Sequence, residues 1–518
     1  MSRSCLIIGV SAAVLSCCSP AGRAQQTAVG FVFHDLNDNG RRDPGEPGLP
    51  GVRVSNGRQV VGTDAAGRYE LPVDDDTILF VIKPSGWMTP IDELNLPRFY
   101  YIHKPGGSPK LKYPGVPPTG PLPESVDFPL RPQAEPQRFS VIFFGDTQPA
   151  DMQDIAHLAH DVVEPLIGTD AAFGMTLGDL VHDKLELHAP LNEVIAQIGV
   201  PWYNVPGNHD MDYSAATDRH ADENWELTYG PPYYSFDYGP VHFVVLDDII
   251  WHGATPERKG HYVAGLGEEQ LEFVRNDLAL VPEDRLVVLT MHIPITEIAE
   301  RKELLALVAR HRYTLSLSAH THIQEHLFLD ADDGWPGREP HHHANCVTAC
   351  GSWWRGAPDE FGIPHTAMAD GTPNGWTLAT FDGHDYELTY VPARRPAEFQ
   401  MSIYCPDSVP ADKVGETEVL ANVFAGSRRS TVEMRVDAGP WVALKQEPRE
   451  DPYYAAIKRA EEGNTPPPGR KLPRITTCPH LWVGRLPEGL AVGAHVIEVR
   501  TTDLFGRRWH GRRIVRIE

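Results

Sequence analysis

Two kinds of apolar patterning alternate through residues 138–395. Short unbroken apolar runs ("FSVIFFG", "AAFGMTLG", "PWYNVPG", "HFVVLD", "RLVVLTMH", "TLSLSAH") are separated by longer stretches whose apolar residues recur every three or four positions ("MQDIAHLAHDVVEPLIG", "LELHAPLNEVIAQIG", "GEEQLEFVRNDLAL"). Unbroken runs fit strands covered on both faces, and the longer period fits helices with one apolar stripe. Their alternation predicts an α/β domain. The pattern changes on either side. Residues 27–131 carry short β-like runs ("GFVF", "GVRVSN", "GRYELPV", "TILFVIK") between Gly and Pro turns, which predicts a small antiparallel β-sandwich. Residues 104–136 are rich in Pro and Gly and read as an extended connector with one last strand, "SVDFPL". Residues 396–518 return to short strands ("STVEMRVD", "HLWVGRL", "AHVIEVRTTD", "RRIVRIE"), a second β-sandwich, and no tandem repeat is present. The expected molecule is a multidomain chain with a central α/β unit between two small β-sandwiches.

Residues 1–25 differ from all of these. Arg3 precedes "CLIIGVSAAVL", and small residues lead to Ala24. That is the pattern of a signal peptide, so the expected location is outside the cytoplasm: periplasmic, secreted or on the cell surface. "VLSCC" leaves a lipid anchor at Cys17 or Cys18 open, and no later stretch is apolar enough to span a membrane. The net charge of −24 argues against sequence-independent binding to nucleic acid or an anionic membrane, but not against small phosphorylated substrates. Past the leader the cysteines are Cys346, Cys350, Cys405 and Cys478. Export would permit a Cys405–Cys478 disulfide, and Cys346 and Cys350 read as buried thiols.

Each apolar run of the central unit ends on polar residues. These are Asp146 and Gln148; Asp179; Asn208, His209 and Asp210; His292; and His320 and His322. One such residue is ordinarily a cap. Consecutive cases with nitrogen and oxygen donors suit first-row divalent metals. As "GDTQ", "GDLVHD", "GNHD", "MH" and "AHTH", the series resembles the calcineurin-like metallophosphoesterase superfamily, whose signature runs D-x-H, G-D, G-N-H-D/E, H, G-H-x-H. Gln148 stands where that signature has its first histidine, and Ala319 where it has a glycine. "FYYIHKP", "YGPPYYSFDYGPVHFVVLD", "CGSWWRG" and "MADGTPNGW" resemble the exported bacterial type with N-terminal and C-terminal β-domains.

The resemblance implies an α-β-β-α sandwich and two divalent ions. Asp146, Gln148, Asp179 and His322 would hold one ion. Asp179 would bridge to a second, joined by Asn208, His292 and His320. His209 would face the phosphate as acid or charge stabiliser, and Asp210 would orient His209. A neutral amide oxygen at Gln148 makes its site harder, favouring manganese or magnesium over zinc, with iron also compatible. The alternative is that Gln148 only holds a metal-bound water. Aspartate-x-glutamine also looks like the manganese-dependent ADP-ribose/CDP-alcohol diphosphatases. Phosphomonoester, phosphodiester and pyrophosphate cleavage therefore all remain open. So does a surface binding protein whose catalytic domain is silent.

"DLNDNGRRDPGE" places Asp35, Asn37, Asn39, Arg41, Asp43 and Glu46 at the ligand positions of an EF-hand loop without flanking helices. With its surroundings it resembles the calcium-binding B-type repeats and transthyretin-like sandwiches. A structural calcium is expected, with a plain polar turn as the alternative. In "PHHHANCVTACGSWWRGAPDEFGIPH", Trp353, Arg355 and His365 are candidates for the mouth of the site, with "WW" as a core wedge the alternative. His341, His342 and His343 read as a solvated loop. His182, Asp183 and His220 lie near ligand loops without a clear ranking.

Overall fold

The computed structural model describes residues 26–364 and 367–518, so the expected leader lies outside the described residues. The first domain packs two four-stranded sheets. One orders Arg68–Val73, Gln26–His34, Phe128–Pro132 and Trp87–Met88; the other orders Val60–Gly62, Arg53–Ser55, Thr77–Ile82 and Tyr100–His103. Alternation makes the sandwich: Tyr69, Leu71 and Val73 point inward while Glu70 between them is exposed.

The central domain stacks two larger sheets. The first orders Trp202–Val205, Phe173–Leu177, Arg138–Phe144, Gly375–Asp382 and Asp385–Pro392. The second orders Tyr234–Tyr238, Val241–Val245, Leu286–Thr290, Tyr313–Ser318, His341–Asn345 and Glu325–Leu329. The strands joined by helical crossovers are parallel, as βαβ connections require, whereas Gly375–Asp382 runs antiparallel to both of its neighbours. Successive residues of Arg138–Phe144 feed opposite cores. Val141 and Phe143 join Phe173, Phe243 and Val288 between the sheets, whereas Ile142 and Phe144 join Ile155, Leu158 and Leu191 under the helices Met152–Leu158 and His188–Ile195. Helices Gly267–Leu278 and Arg301–Val308 cover the second sheet.

The His341–His343 run corrects the expectation of a solvated loop. It is a central strand, and its three imidazoles are buried. The side chains that make this tolerable stand on the neighbouring strand. Thr314, Ser316 and Ser318 face the same way and satisfy the nitrogens of His341 and His343.

The last domain packs Met401–Tyr404, Glu418–Val423, Leu481–Arg485 and Lys445–Gln446 against a sheet containing Thr431–Val436, Gly493–Thr502 and Arg508–Ile517. The expected Cys405–Cys478 disulfide is not formed. Both are free, buried thiols: Cys405 sits in the domain core, and Cys478 lies 3.3 Å from His480 Nδ1. A helix the apolar pattern did not announce, Pro452–Glu461, is capped by Asp451. It brings Tyr454 against Ala367 and Ala369 of the central domain, where Leu472 from the segment that follows joins them. No helix among the described residues is long and apolar enough to cross a membrane.

Candidate metal centre

The polar strand ends converge. Five of the seven expected ligands have left-handed backbone: Asp146 (φ 23°), Gln148 (38°), Asp179 (49°), His320 (66°) and His322 (52°). Each such residue costs about 1–3 kcal/mol, and such strain clusters where a site over-determines it. Two glycines explain the motif spacing. A Cβ on Gly178 would lie 2.4 Å from His292 Nδ1, and one on Gly207 would lie 2.1 Å from the Asp179 amide nitrogen. The G-D and G-N-H loops approach the centre too closely for any side chain there.

The donor atoms face one another. His322 Nε2 is 2.8 Å from Asp146 Oδ2. His292 Nε2 is 3.2 Å from both Asp179 Oδ1 and Asn208 Oδ1, and 3.0 Å from His320 Nδ1. Backbone carbonyls fix the tautomers that leave these nitrogens free to ligate. His292 Nδ1 donates to Leu177 O, and His322 Nδ1 donates to Gly351 O. Burial lowers the His292 pKa, but the charge and hydrogen bond of Asp179, with the charges of Asp146 and Asp248, together raise it to about 10. Burial and the neighbouring His292 push His320 down to about 4. Asp179, His292 and His320 offer ligand atoms within 4.8 Å of one another, and two imidazoles crowded on one carboxylate fit a cation. Gln148 Nε2 donates to Asp179 Oδ2 at 2.8 Å, so its amide hydrogens hold the shared carboxylate. Its Oε1 faces Cys350 Sγ at 3.9 Å, placing beside the centre one of the two thiols expected only to be buried.

His209 stands at the mouth, half-buried, with Nε2 3.9 Å from Asp179 Oδ2. Its Nδ1 pairs with Asp183, and its ring stacks on His182 at 4.6 Å. Burial lowers its pKa, and Asp179 and Asp183 raise it to about 9. Asp210, expected to orient His209, does other work. Its carboxylate accepts from the amides of Leu180 (3.0 Å), Val181 (3.2 Å) and Gly207 (3.0 Å), and meets His188 Nε2 at 3.3 Å. Facing inward from the turn, Asp210 ties two ligand loops together, and the position beside His209 falls to Asp183.

The tandem tryptophans divide. Trp354 is fully buried and donates from Nε1 to Thr147 O at 2.9 Å. Trp353 stays at the mouth, stacked on His322 at 3.9 Å. Arg355 is half-buried beyond it, and His365 lies outside the described residues. His220 is placed elsewhere, against Glu223 and near Asp76; the Lys104 ammonium pairs with Asp76, Glu223 and Glu226, which makes that cluster a domain joint. In the loop at Asp35, the carboxylate accepts from the amides of Asp38, Asn39 and Gly40, and Asn37 and Asn39 donate to Asp43.

A hydrogen-bonded ladder reaches the centre from behind. Asn345 Nδ2 donates to Ile323 O and Thr321 Oγ1, holding the turn that carries His320 and His322. A carbonyl only accepts, so Asn345 must turn its Oδ1 to Ser318, whose hydroxyl then donates. The same logic continues backward. His343 Nε2 donates to Ser318, Ser316 donates to His343 Nδ1, His341 Nε2 donates to Ser316, and Thr314 donates to His341 Nδ1. One carbonyl thus fixes two tautomers.

A strand-end cluster of facing carboxylates and imidazoles, with a histidine at its mouth, defines a metal-dependent phosphoric-ester hydrolase. The chain belongs to the calcineurin-like phosphoesterase family. Family models match in three consecutive stretches: the N terminal of calcineurin-like phosphoesterase at residues 36–113, calcineurin-like phosphoesterase at 139–324, and the C terminal of calcineurin-like phosphoesterase at 343–509. Membership implies a dinuclear metal centre. No curated protein matched. Among solved structures, a purple acid phosphatase isolated from yellow lupin (Lupinus luteus) seeds is 14% identical, with 71% of this chain and 67% of that chain covered and a TM-score of 0.36. CopC from Methylosinus trichosporium OB3b is 17% identical over 23% of this chain and 89% of its own, with a TM-score of 0.14.

Proposed function

We propose that the protein is an exported hydrolase of a small phosphate ester, with manganese as the working metal. Asp146, Gln148, Asp179 and His322 would hold one ion. Asp179, Asn208, His292 and His320 would hold the other. When bound, the two cations supply charge neutralisation for the phosphate oxygens and a nucleophile at neutral pH. His209 directs Nε2 into the mouth, where its proton passes to the leaving oxygen as the bond from phosphorus to that oxygen breaks. Asp183, on Nδ1, holds the ring and stabilises its charge. Asp210, through three backbone amides, keeps the Asp179 and Asn208 loops in register. The observation that carries this reading is the His209–Asp183 pair standing over the Asp179–His292–His320 cluster. A neutral amide oxygen at Gln148 supports manganese over zinc. The loop from Asp35 to Glu46 would take a structural calcium.

The test follows hydrolysis of p-nitrophenyl phosphate and bis-p-nitrophenyl phosphate by manganese-loaded protein, beside His209→Ala. Turnover that His209→Ala abolishes with metal content intact supports the assignment. Turnover that survives the change refutes it. A preference for the monoester marks a phosphatase, and a preference for the diester marks a phosphodiesterase or diphosphatase.

A further inference from the structure

Two buried polar atoms at the mouth have no partner among the described residues: Arg355 Nε and His182 Nδ1. Unpartnered buried atoms occur elsewhere in the fold as well, so what distinguishes Arg355 is its charge. Three other arginines that reach inward are neutralised. Arg53 pairs with Asp237 and Asp277, Arg394 with Asp161 and Asp359, and Arg470 with Asp154. In a chain of net charge −24, Arg355 has no carboxylate partner among the described residues.

Its position is built. The guanidinium carbon is 5.8 Å from the Trp353 ring centre, and that ring lies 3.9 Å from the ring of the expected ligand His322. The backbone carrying it is left-handed at Trp353 (φ 56°) and Trp354 (φ 51°). Three contacts hold that turn: Ser352 Oγ donates to Ala367 O, Trp354 Nε1 donates to Thr147 O, and Arg470 donates to Trp354 O. The last contact comes from the C-terminal domain, which therefore braces the arginine. His182, stacked on His209, lies within the electrostatic reach of Arg355.

We propose that Arg355 forms a subsite for a second phosphoryl group of the substrate, one layer out from the metal centre, with His182 at the same mouth. This deepens the phosphoesterase reading and rests on it. A guanidinium offers a planar fork of donors that matches phosphate, and at a half-buried position the pairing is strong. Trp353, covered on one face by His322, serves as a wall under the arginine. The substrate class is a compound with two phosphoryl groups, joined directly in a pyrophosphate link or carried on neighbouring carbons.

Binding is measured by calorimetry on the manganese-loaded protein. The probes are inorganic phosphate, methylenebisphosphonate and propane-1,3-diyl bisphosphate. In Arg355→Met, the Kd of at least one two-headed probe should rise at least about tenfold more than that of phosphate. The probe that loses more identifies the spacing. Arg355→Lys, which keeps the charge and loses the fork, should recover part of the ratio. If all three constants change by one factor, or none changes, the subsite is refuted. This readout needs no turnover, so a failure of the hydrolase reading would appear separately, as wild-type protein inert toward every ester.

Discussion

Asp183 Oδ1 and His209 Nδ1 share one hydrogen bond across the mouth of the centre, though 26 positions separate them. Asp183→Asn keeps the shape and removes the charge that supports an imidazole during proton transfer. We expect kcat to fall by about 100-fold with manganese content unchanged. Steady-state kinetics beside metal analysis decide it. A kcat within twofold of wild type would remove Asp183 from the mechanism.

Asp210→Ala should behave differently. It strands three buried backbone amides, a loss of about 3 kcal/mol or more. Urea unfolding should show the loss, and manganese should bind more weakly because two ligand loops come apart. Stability equal to wild type would mean that the three amides find other acceptors.

Gly178→Ala tests the close approach of backbone and ligand. The added methyl meets His292 Nδ1 at 2.4 Å. Gly168 supplies the control: its φ of +80° is nearly that of Gly178 at +83°, yet a Cβ there meets nothing within 4 Å. Manganese affinity should fall by about tenfold or more in Gly178→Ala and hold in Gly168→Ala, as read by titration calorimetry. Equal affinities in the two variants would show that backbone strain, not displacement of His292, sets binding.

Much of this was legible because most strands of the central domain stay largely apolar until they reach the rim of the sheet. The change from "VIFF" to Gly145-Asp146, or from "VVLT" to His292, marks the rim of a sheet directly. Side-chain partners drawn from other loops were not legible. Asp210 adjoins His209 in sequence but faces away, while Asp183 reaches it from another strand end. His341 and His343 resembled a polar loop because their hydroxyl partners lie on a strand 25 to 27 positions earlier, and His342 because it meets His326 and Tyr386. Trp353 and Trp354 went to different environments because both take left-handed backbone, which no apolar pattern encodes.

The buried histidines predict a pH response. Burial pushes His341 and His343 down to about 3. Unfolded histidine titrates near about 6.5, so below that pH the unfolded chain takes protons that the fold refuses. Their contribution is whole above about pH 6.5 and is lost as pH falls toward 3. Each histidine contributes a slope of about 1.4 kcal/mol per pH unit in that window. In His343→Gln, the slope of unfolding free energy between about pH 6 and pH 4 should drop by one proton's worth. An unchanged slope would mean that His343 is protonated in the fold.

For the Asp35 loop, millimolar calcium should raise the melting temperature relative to chelator by several degrees, and Asp35→Ala should erase the difference. Identical melting curves for wild-type protein would make the loop a self-sufficient turn.

The ladder behind the centre has one sense of donation, from Thr314 to Asn345. Hydroxyl and imidazole groups can relay a proton by passing one on and taking one up, but an amide ends such a relay. The ladder therefore insulates. It fixes the His320–His322 turn with polar groups yet offers no conducting path along its own length.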